Sequence, residues 1–138
     1  MKHTSTFLAN PIGCAAGVAS LTVIEEEHLI EKSKKLGTYS LDRLKELENQ
    51  HELIGDVRGK GLMIGVELVE NRKTKTPATE ATEHIVDQAL KKGVYYASGG
   101  RYGNVLKISP PLVITKEQID FSLEVLDEAL REAEKRTR

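Results

Sequence analysis

Residues 7–24 carry no charged side chain, and this run constrains the fold more than any other feature of the chain. Asn10 before Pro11 places a capping side chain ahead of a proline at the first helical position, a good helix start. A helix is therefore predicted from Pro11 to about Glu26. Ile12, Cys14, Ala15, Ala16, Val18, Ala19, Leu21, Val23 and Ile24 point in every direction around it, and helices apolar all round are buried on most sides. A domain of this size is not expected to cover them all. The other account of a charge-free run is a membrane span. Eighteen residues containing Asn-Pro, two glycines, a serine and a threonine fall short of the usual ~20 mostly aliphatic ones. The expectation is a buried helix in something larger, with no membrane.

A chain of 138 residues suits one domain with a single core. Twenty basic against twenty-one acidic residues leave a formal net charge of −1. That balance makes no electrostatic case for nucleic acid or an anionic membrane. The single cysteine, Cys14, excludes an internal disulfide and a CxxC metal site. In the apolar helix it reads as a buried small hydrophobe, with a nucleophile paired to a histidine as the alternative. Met1-Lys2 leads straight into polar residues, not into a signal-peptide pattern, so a cytoplasmic location is expected.

Farther along, residues 28–47 repeat Leu29, Ile30, Leu36, Leu41, Leu44 and Leu47 at three- and four-residue steps, an amphipathic helix with an interruption expected near Gly37. Residues 61–69 read as a strand entered sharply through Gly59 and Gly61 and left through a polar run. A third helix is predicted over 78–92, with Ile85, Val86, Ala89 and Leu90 inward and Gly93 as the C-terminal cap. Residues 94–97 and 104–109 read as two short strands flanking a glycine-rich turn. In the last helix Thr115 and Gln118 make a capping-box pattern, and Ile119, Leu123, Leu126, Leu130 and Ala133 share one face. Strands with helices before, between and after them predict an α+β sandwich in which helices cover one sheet face.

Few residues carry a chemical signal. Gly59-Lys60-Gly61 lacks the spacing of a P-loop and precedes a strand, whereas the dinucleotide fingerprint follows one, so tight backbone conformation accounts for these glycines. In strand 104–109 the period of two puts Lys107 with Val105 and Ser109, opposite Leu106 and Ile108. Beside a glycine loop such a cation either holds a carboxylate or is a solvated strand-face lysine. Arg101, in the loop, poses the same choice. His3, His28, His51 and His84 have no metal-ligand spacing and read as surface residues. Ser5 and Thr6 lie just before a helix N-terminus, where hydroxyls and free amides form an anion site or simply cap the helix.

Taken together, these segments resemble the class III pyridoxal-phosphate aminotransferases, the omega or 4-aminobutyrate aminotransferase group. His3-Thr4-Ser5-Thr6-Phe7-Leu8-Ala9-Asn10-Pro11 resembles the family segment H-x-[ST]-T-[FY]-x-G-N-P, and Cys14-Ala15-Ala16 follows it. The block running from Asp56-Val57-Arg58-Gly59 to Leu68, then Thr76-Pro77-Ala78, then the block from Gly103-Asn104-Val105-Leu106-Lys107 to Leu112 come in family order. Ala9 replaces the usual first glycine of G-N-P.

The resemblance implies the C-terminal part of a fold-type-I enzyme: residues 1–26 as phosphate-contacting segment and apolar linking helix, and 27–138 as the small domain. That domain would be a short, mainly antiparallel sheet covered by helices. It implies that Thr6, helped by Ser5, binds the phosphate of pyridoxal 5'-phosphate in the neighbouring subunit. The position of Lys107 is commonly an arginine that pairs with the substrate carboxylate; lysine replaces a planar two-pronged donor by a point charge. No residue here matches the family's imine-forming lysine, the aspartate on the pyridine nitrogen or the ring-stacking aromatic. The expected parent reaction moves an amino group between an amino acid or amine and a 2-oxo acid, and the chain alone is expected to be inactive. The expected partners are the large domain of the parent and a second copy through helix 11–24. Alternatives are a non-catalytic dimerisation module, or part of a phospholyase or racemase of the same scaffold.

Overall fold

A computed structural model of the chain describes residues 10–137. Helix α1 spans Pro11–Glu26, with the Asn10 side chain accepting from the Ile12 amide at 3.1 Å. Helix α2 (Leu29–Gln50) follows at once. Then come strands β1 (Ile54–Lys60), β2 (Met63–Asn71) and the short β3 (Thr76–Pro77), helix α3 (Thr79–Lys91), strands β4 (Ala97–Gly99) and β5 (Val105–Ile108), and helix α4 (Lys116–Thr137). The sheet is antiparallel in the order β1-β2-β5-β4, with β3 paired to the far end of β2. Helices α2 and α3 lie against one face of this sheet, and α4 packs on both of them.

Period-two alternation builds the core. Val57, Ile64, Val66, Leu68 and Leu106 all point to the helical side and are buried. They meet Leu44 and Leu47 of α2, Ile85 and Ala89 of α3, and Ile119, Leu123, Leu126, Leu130 and Ala133 of α4. The predicted α4 face is buried throughout, and its capping box is present. Gln118 N–H donates to Thr115 Oγ1 at 3.3 Å, and Thr115 N–H donates to Gln118 Oε1 at 3.0 Å.

Several expectations need correction. Gly37 does not interrupt α2: a Cβ there would lie 2.2 Å from the Gly61 carbonyl oxygen, so this glycine lets the helix touch the β1–β2 turn. Gly59 and Gly61 do not open a lone strand. They belong to a hairpin in which Lys60 pairs with Met63 across Gly61-Leu62, and Gly61 has φ 56, as the first position of a two-residue II′ turn requires. The Leu62 N–H donates to Ser33 Oγ at 3.3 Å, fastening the turn to α2.

Only Ala97 of residues 94–97 is in a strand, because β4 pairs with β5 through Ala97, Ser98 and Gly99. Leu90 is exposed; the inward side of α3 uses Thr82 in addition to Ile85 and Ala89. His51 is buried, not at the surface. It caps the C-terminus of α2 and turns the chain beneath α4. Its Nε2 lies 2.7 Å from Asp127 Oδ1 and its Nδ1 3.2 Å from Glu134 Oε2, two carboxylates seven residues apart on one face of α4. Arg72 closes the same corner, donating to the carbonyl oxygens of Ile54 at 3.0 Å and His51 at 2.7 Å, and to that of Glu48.

Helix α1 has no buried residue; Ile12 is 80% and Leu21 64% exposed. Cys14 is exposed with them, since among the described residues α1 is in contact mainly with α2 and only Ile24 is half-buried. No described helix is long and apolar enough to cross a membrane. At the α1–α2 junction His28 takes the left-handed conformation, φ 51, which glycine adopts without a Cβ penalty.

Two substitutions test these contacts by urea or thermal unfolding. Gly37→Ala gains about 1 kcal/mol of helix propensity, yet it presses a methyl into backbone at a site of overpacking that costs about 1–3 kcal/mol; net destabilisation is expected. His28→Gly removes a left-handed penalty of about 1–2 kcal/mol and adds roughly 0.5–1 kcal/mol of unfolded-chain entropy. A small net gain in stability is expected.

Candidate functional site

The same alternation that buries one sheet face leaves the other without helices among the described residues. Register places Arg58, Gly65, Lys107 and Ala97 in one row across β1, β2, β5 and β4, and Asp56, Glu67, Val105 and Gly99 in the next. These residues all point away from the core set. The open face is therefore a polar platform with small residues set into it.

Lys107 is exposed, as its register requires. It makes no hydrogen bond or ion pair among the described residues. Its side chain crosses Gly99, where a Cβ would come within 2.7 Å of Lys107 Cε and 3.1 Å of Nζ. Any larger residue at 99 would push the ammonium elsewhere. Gly65 beside it has no side chain to cover the aliphatic stem.

Two strands away, Arg58 Nη1 lies 2.6 Å from Asp56 Oδ2 and 2.8 Å from Glu67 Oε2. Hydrogen bonding to Asp56, then to Glu67, raises the guanidinium pKa above its ordinary value. Asp56 and Glu67 face each other directly in the register, a like-charge pairing that Arg58 neutralises. In the sequence, Gly55 and Gly59 mask the alternation of β1 that sets Asp56, Arg58 and Lys60 on one face.

The loop joining β4 to β5 is held in place by Asn104. Its buried side chain donates to the Leu68 carbonyl at 2.8 Å, and its own carbonyl accepts from the Leu68 N–H at 2.8 Å. Thr79 Oγ1 donates to the Tyr102 carbonyl at 2.7 Å. Arg101 sits at the exposed tip, 5.7 Å from the centroid of the Tyr102 ring. The structure does not bring Arg101 into the row with Lys107. Ser5 and Thr6 lie outside the described residues. No group of three or more His, Cys, Asp or Glu that could hold a metal occurs among the described residues.

A cavity of about 740 Å3 opens where the sheet ends, between α2, α4 and the segment after β5. Leu44, Ile64, Ile108, Ile119 and Leu123 give it an apolar wall. Of its polar groups, Ser40 and Ser122 hydroxyls bond to helix carbonyls, and Thr115 and Gln118 bond to each other, while Lys107 also lines it and is unpaired among the described residues. Tyr96 OH donates to the Ser122 carbonyl at 2.6 Å, and burial pushes its pKa up to about 12. The cavity thus sets apolar walls beside Lys107.

The family model described as Aminotransferase class-III matches residues 1–130. The chain is 49% identical over 126 residues to the mitochondrial alanine–glyoxylate aminotransferase 2 homolog 2 of Arabidopsis thaliana, covering 91% of this chain and 26% of that protein. It is 43% identical over 134 residues to a leucine/methionine racemase of Thermococcus litoralis, covering 97% of this chain and 30% of the relative. A Bacillus anthracis aminotransferase structure superposes with a TM-score of 0.90 at 39% identity, over 96% of this chain and 30% of that one. The chain thus spans between a quarter and a third of the length of these relatives. It belongs to the class-III aminotransferase family, and its fold is the small α+β domain of a fold-type-I pyridoxal-phosphate enzyme.

Proposed function

We propose that the chain serves as the C-terminal domain of a transaminase, in which Lys107 receives the carboxylate of an amino acid or 2-oxo acid. One observation carries the reading: an exposed, unpaired ammonium on an open sheet face, laid over Gly99, at the position where the family resemblance puts the substrate's carboxylate partner. An unpaired cation beside residues without bulk leaves room for an anion to approach. As a point charge, lysine accepts carboxylates over a wider range of angles than the arginine fork would.

Pyridoxal phosphate, the cofactor that the resemblance implies, supplies the electron sink for amino-group chemistry when bound. Holding it takes an amine, an acidic partner for the ring nitrogen and a phosphate cradle. On the open face the two carboxylates are both engaged by Arg58, and the ammoniums of Lys107 and Lys60 have no partner among the described residues. The described residues do not fit the cofactor by themselves, so their proposed share of the reaction is substrate recognition. Ser5 and Thr6, with the phosphate role that the resemblance assigns them, complete the proposal from outside the described residues. The apolar surface of α1 is proposed to pack against the large domain of such a transaminase, with association through a second copy as the other outcome.

Two measurements test this. The pure chain, supplied with pyridoxal phosphate, alanine and glyoxylate, is expected to form no pyruvate, and sustained turnover would overturn the domain reading. Grafted in place of the matching segment of the Arabidopsis relative, the chain is expected to support transamination. There Lys107→Gln should reduce kcat/KM by roughly 10–100-fold, the loss of one charged hydrogen bond of about 1.5–3 kcal/mol, mostly through KM. An unchanged KM would remove Lys107 from substrate binding. Racemisation is the second reading, favoured by the 43% identity to the Thermococcus racemase. Formation of the D-amino acid without an oxo-acid acceptor would select it.

A further inference from the structure

Glu67 has two cations within reach on the open face, and it pairs with only one. Register sets Gly65 opposite both Arg58 on β1 and Lys107 on β5, and Glu67 lies two residues along β2 from Gly65. Glu67 is thus diagonal to Arg58 on one side and to Lys107 on the other, a separation of about 7–8 Å between strands that long side chains bridge. The carboxylate turns to Arg58, at 2.8 Å. Arg58 also holds Asp56 at 2.6 Å, so one guanidinium draws both carboxylates toward β1 and away from β5.

We propose that Arg58 is a positioning residue for anion binding: by engaging Glu67 it keeps a neighbouring carboxylate off Lys107 and leaves that ammonium open to ligand. The inference rests on the reading of Lys107 as the carboxylate partner, and it adds the residue that keeps the partner available. Without Arg58, Asp56 and Glu67 would face each other uncompensated, and like charges directly opposite repel. The nearest relief for Glu67 across Gly65 is Lys107. An internal ion pair would then compete with any incoming carboxylate.

The test is a titration of the isotope-labelled chain with succinate at constant ionic strength, following the amide resonances of Gly65, Ala97 and Gly99. Wild type is expected to give saturable shifts that Lys107→Gln abolishes. Arg58→Gln is expected to weaken binding roughly two- to fivefold, the worth of an exposed ion pair. The double variant Arg58→Gln/Glu67→Gln should recover wild-type affinity, since it has the same net charge as wild type and lacks the competitor. Arg58→Lys should retain it too, because a cation still holds Glu67, and it serves where Arg58→Gln folds poorly.

Unchanged affinity in Arg58→Gln would overturn the proposal. So would a loss that removing Glu67 does not restore, because Arg58 would then act as a direct ligand or through the fold. If wild type gives no saturable shift, or Lys107→Gln binds equally well, the reading of Lys107 falls and the proposal with it. Binding that needs Lys107 but ignores Arg58 overturns the proposal alone.

Discussion

The two-residue period of β2 and β5 is the constraint on which the rest of the structure depends. Ile64, Val66 and Leu68 alternate with Met63, Gly65 and Glu67, and Leu106 alternates with Val105 and Lys107. Each fully buried aliphatic side chain contributes about 1.5–3 kcal/mol, so burying this set outweighs any single polar contact on the other face. A slip of one residue would carry Glu67 and Lys107 into the core. Hydrophobic burial thereby determines which charges stand on the open face, and the chemistry of that face follows from the packing of the opposite one.

Devices at the edges hold this arrangement in register. The β1–β2 turn is seated on α2 by the close approach of Gly61 to Gly37 and by the bond from Leu62 to Ser33. At the opposite end of α2, buried His51 and half-buried Asp127, Glu134 and Arg72 form a polar corner in which ring nitrogens and carbonyls find partners. Such networks stabilise only when their members are satisfied together. Asn104 does comparable work for the β4–β5 loop, tying it to β2 through two bonds with Leu68. The open face can be sparse and glycine-lined because the rigidity is supplied from behind and from both ends.

Helix α1 contrasts with this economy. Ile12, Val18 and Leu21 are each more than 60% exposed, and contiguous apolar surface of this kind marks an interface or a liability to associate. The chain spans between a quarter and a third of the relatives it matches, and the exposed helix is physically intelligible as a surface shaped for more protein than the described residues provide. The open sheet face is likewise bare among the described residues, with the Lys107 ammonium unpaired and no helix packed over it.

Local patterns were sufficient for much of this. The Asn10-Pro11 start of α1, the apolar stripe and capping box of α4, and the outward direction of Lys107 all follow from spacing, because propensity and period act within a few residues. Family order was legible in collinear blocks that included Asp56 to Leu68. Other features were not legible, since they depend on partners far along the chain. Gly37 looked like a helix breaker until Gly61, 24 positions later, supplied the reason for its size. His51 looked like a surface residue because its carboxylates lie on α4, and β1 was obscured by glycines whose strand character comes only from pairing with β2. The sequence by itself determined the helices and the side of the sheet to which each residue of β2 and β5 points, because backbone geometry ties direction to position. Only the tertiary structure decided that Arg58, Glu67 and Lys107 share one platform and that Arg58 takes the carboxylate, because strand order and register are settled by long-range burial.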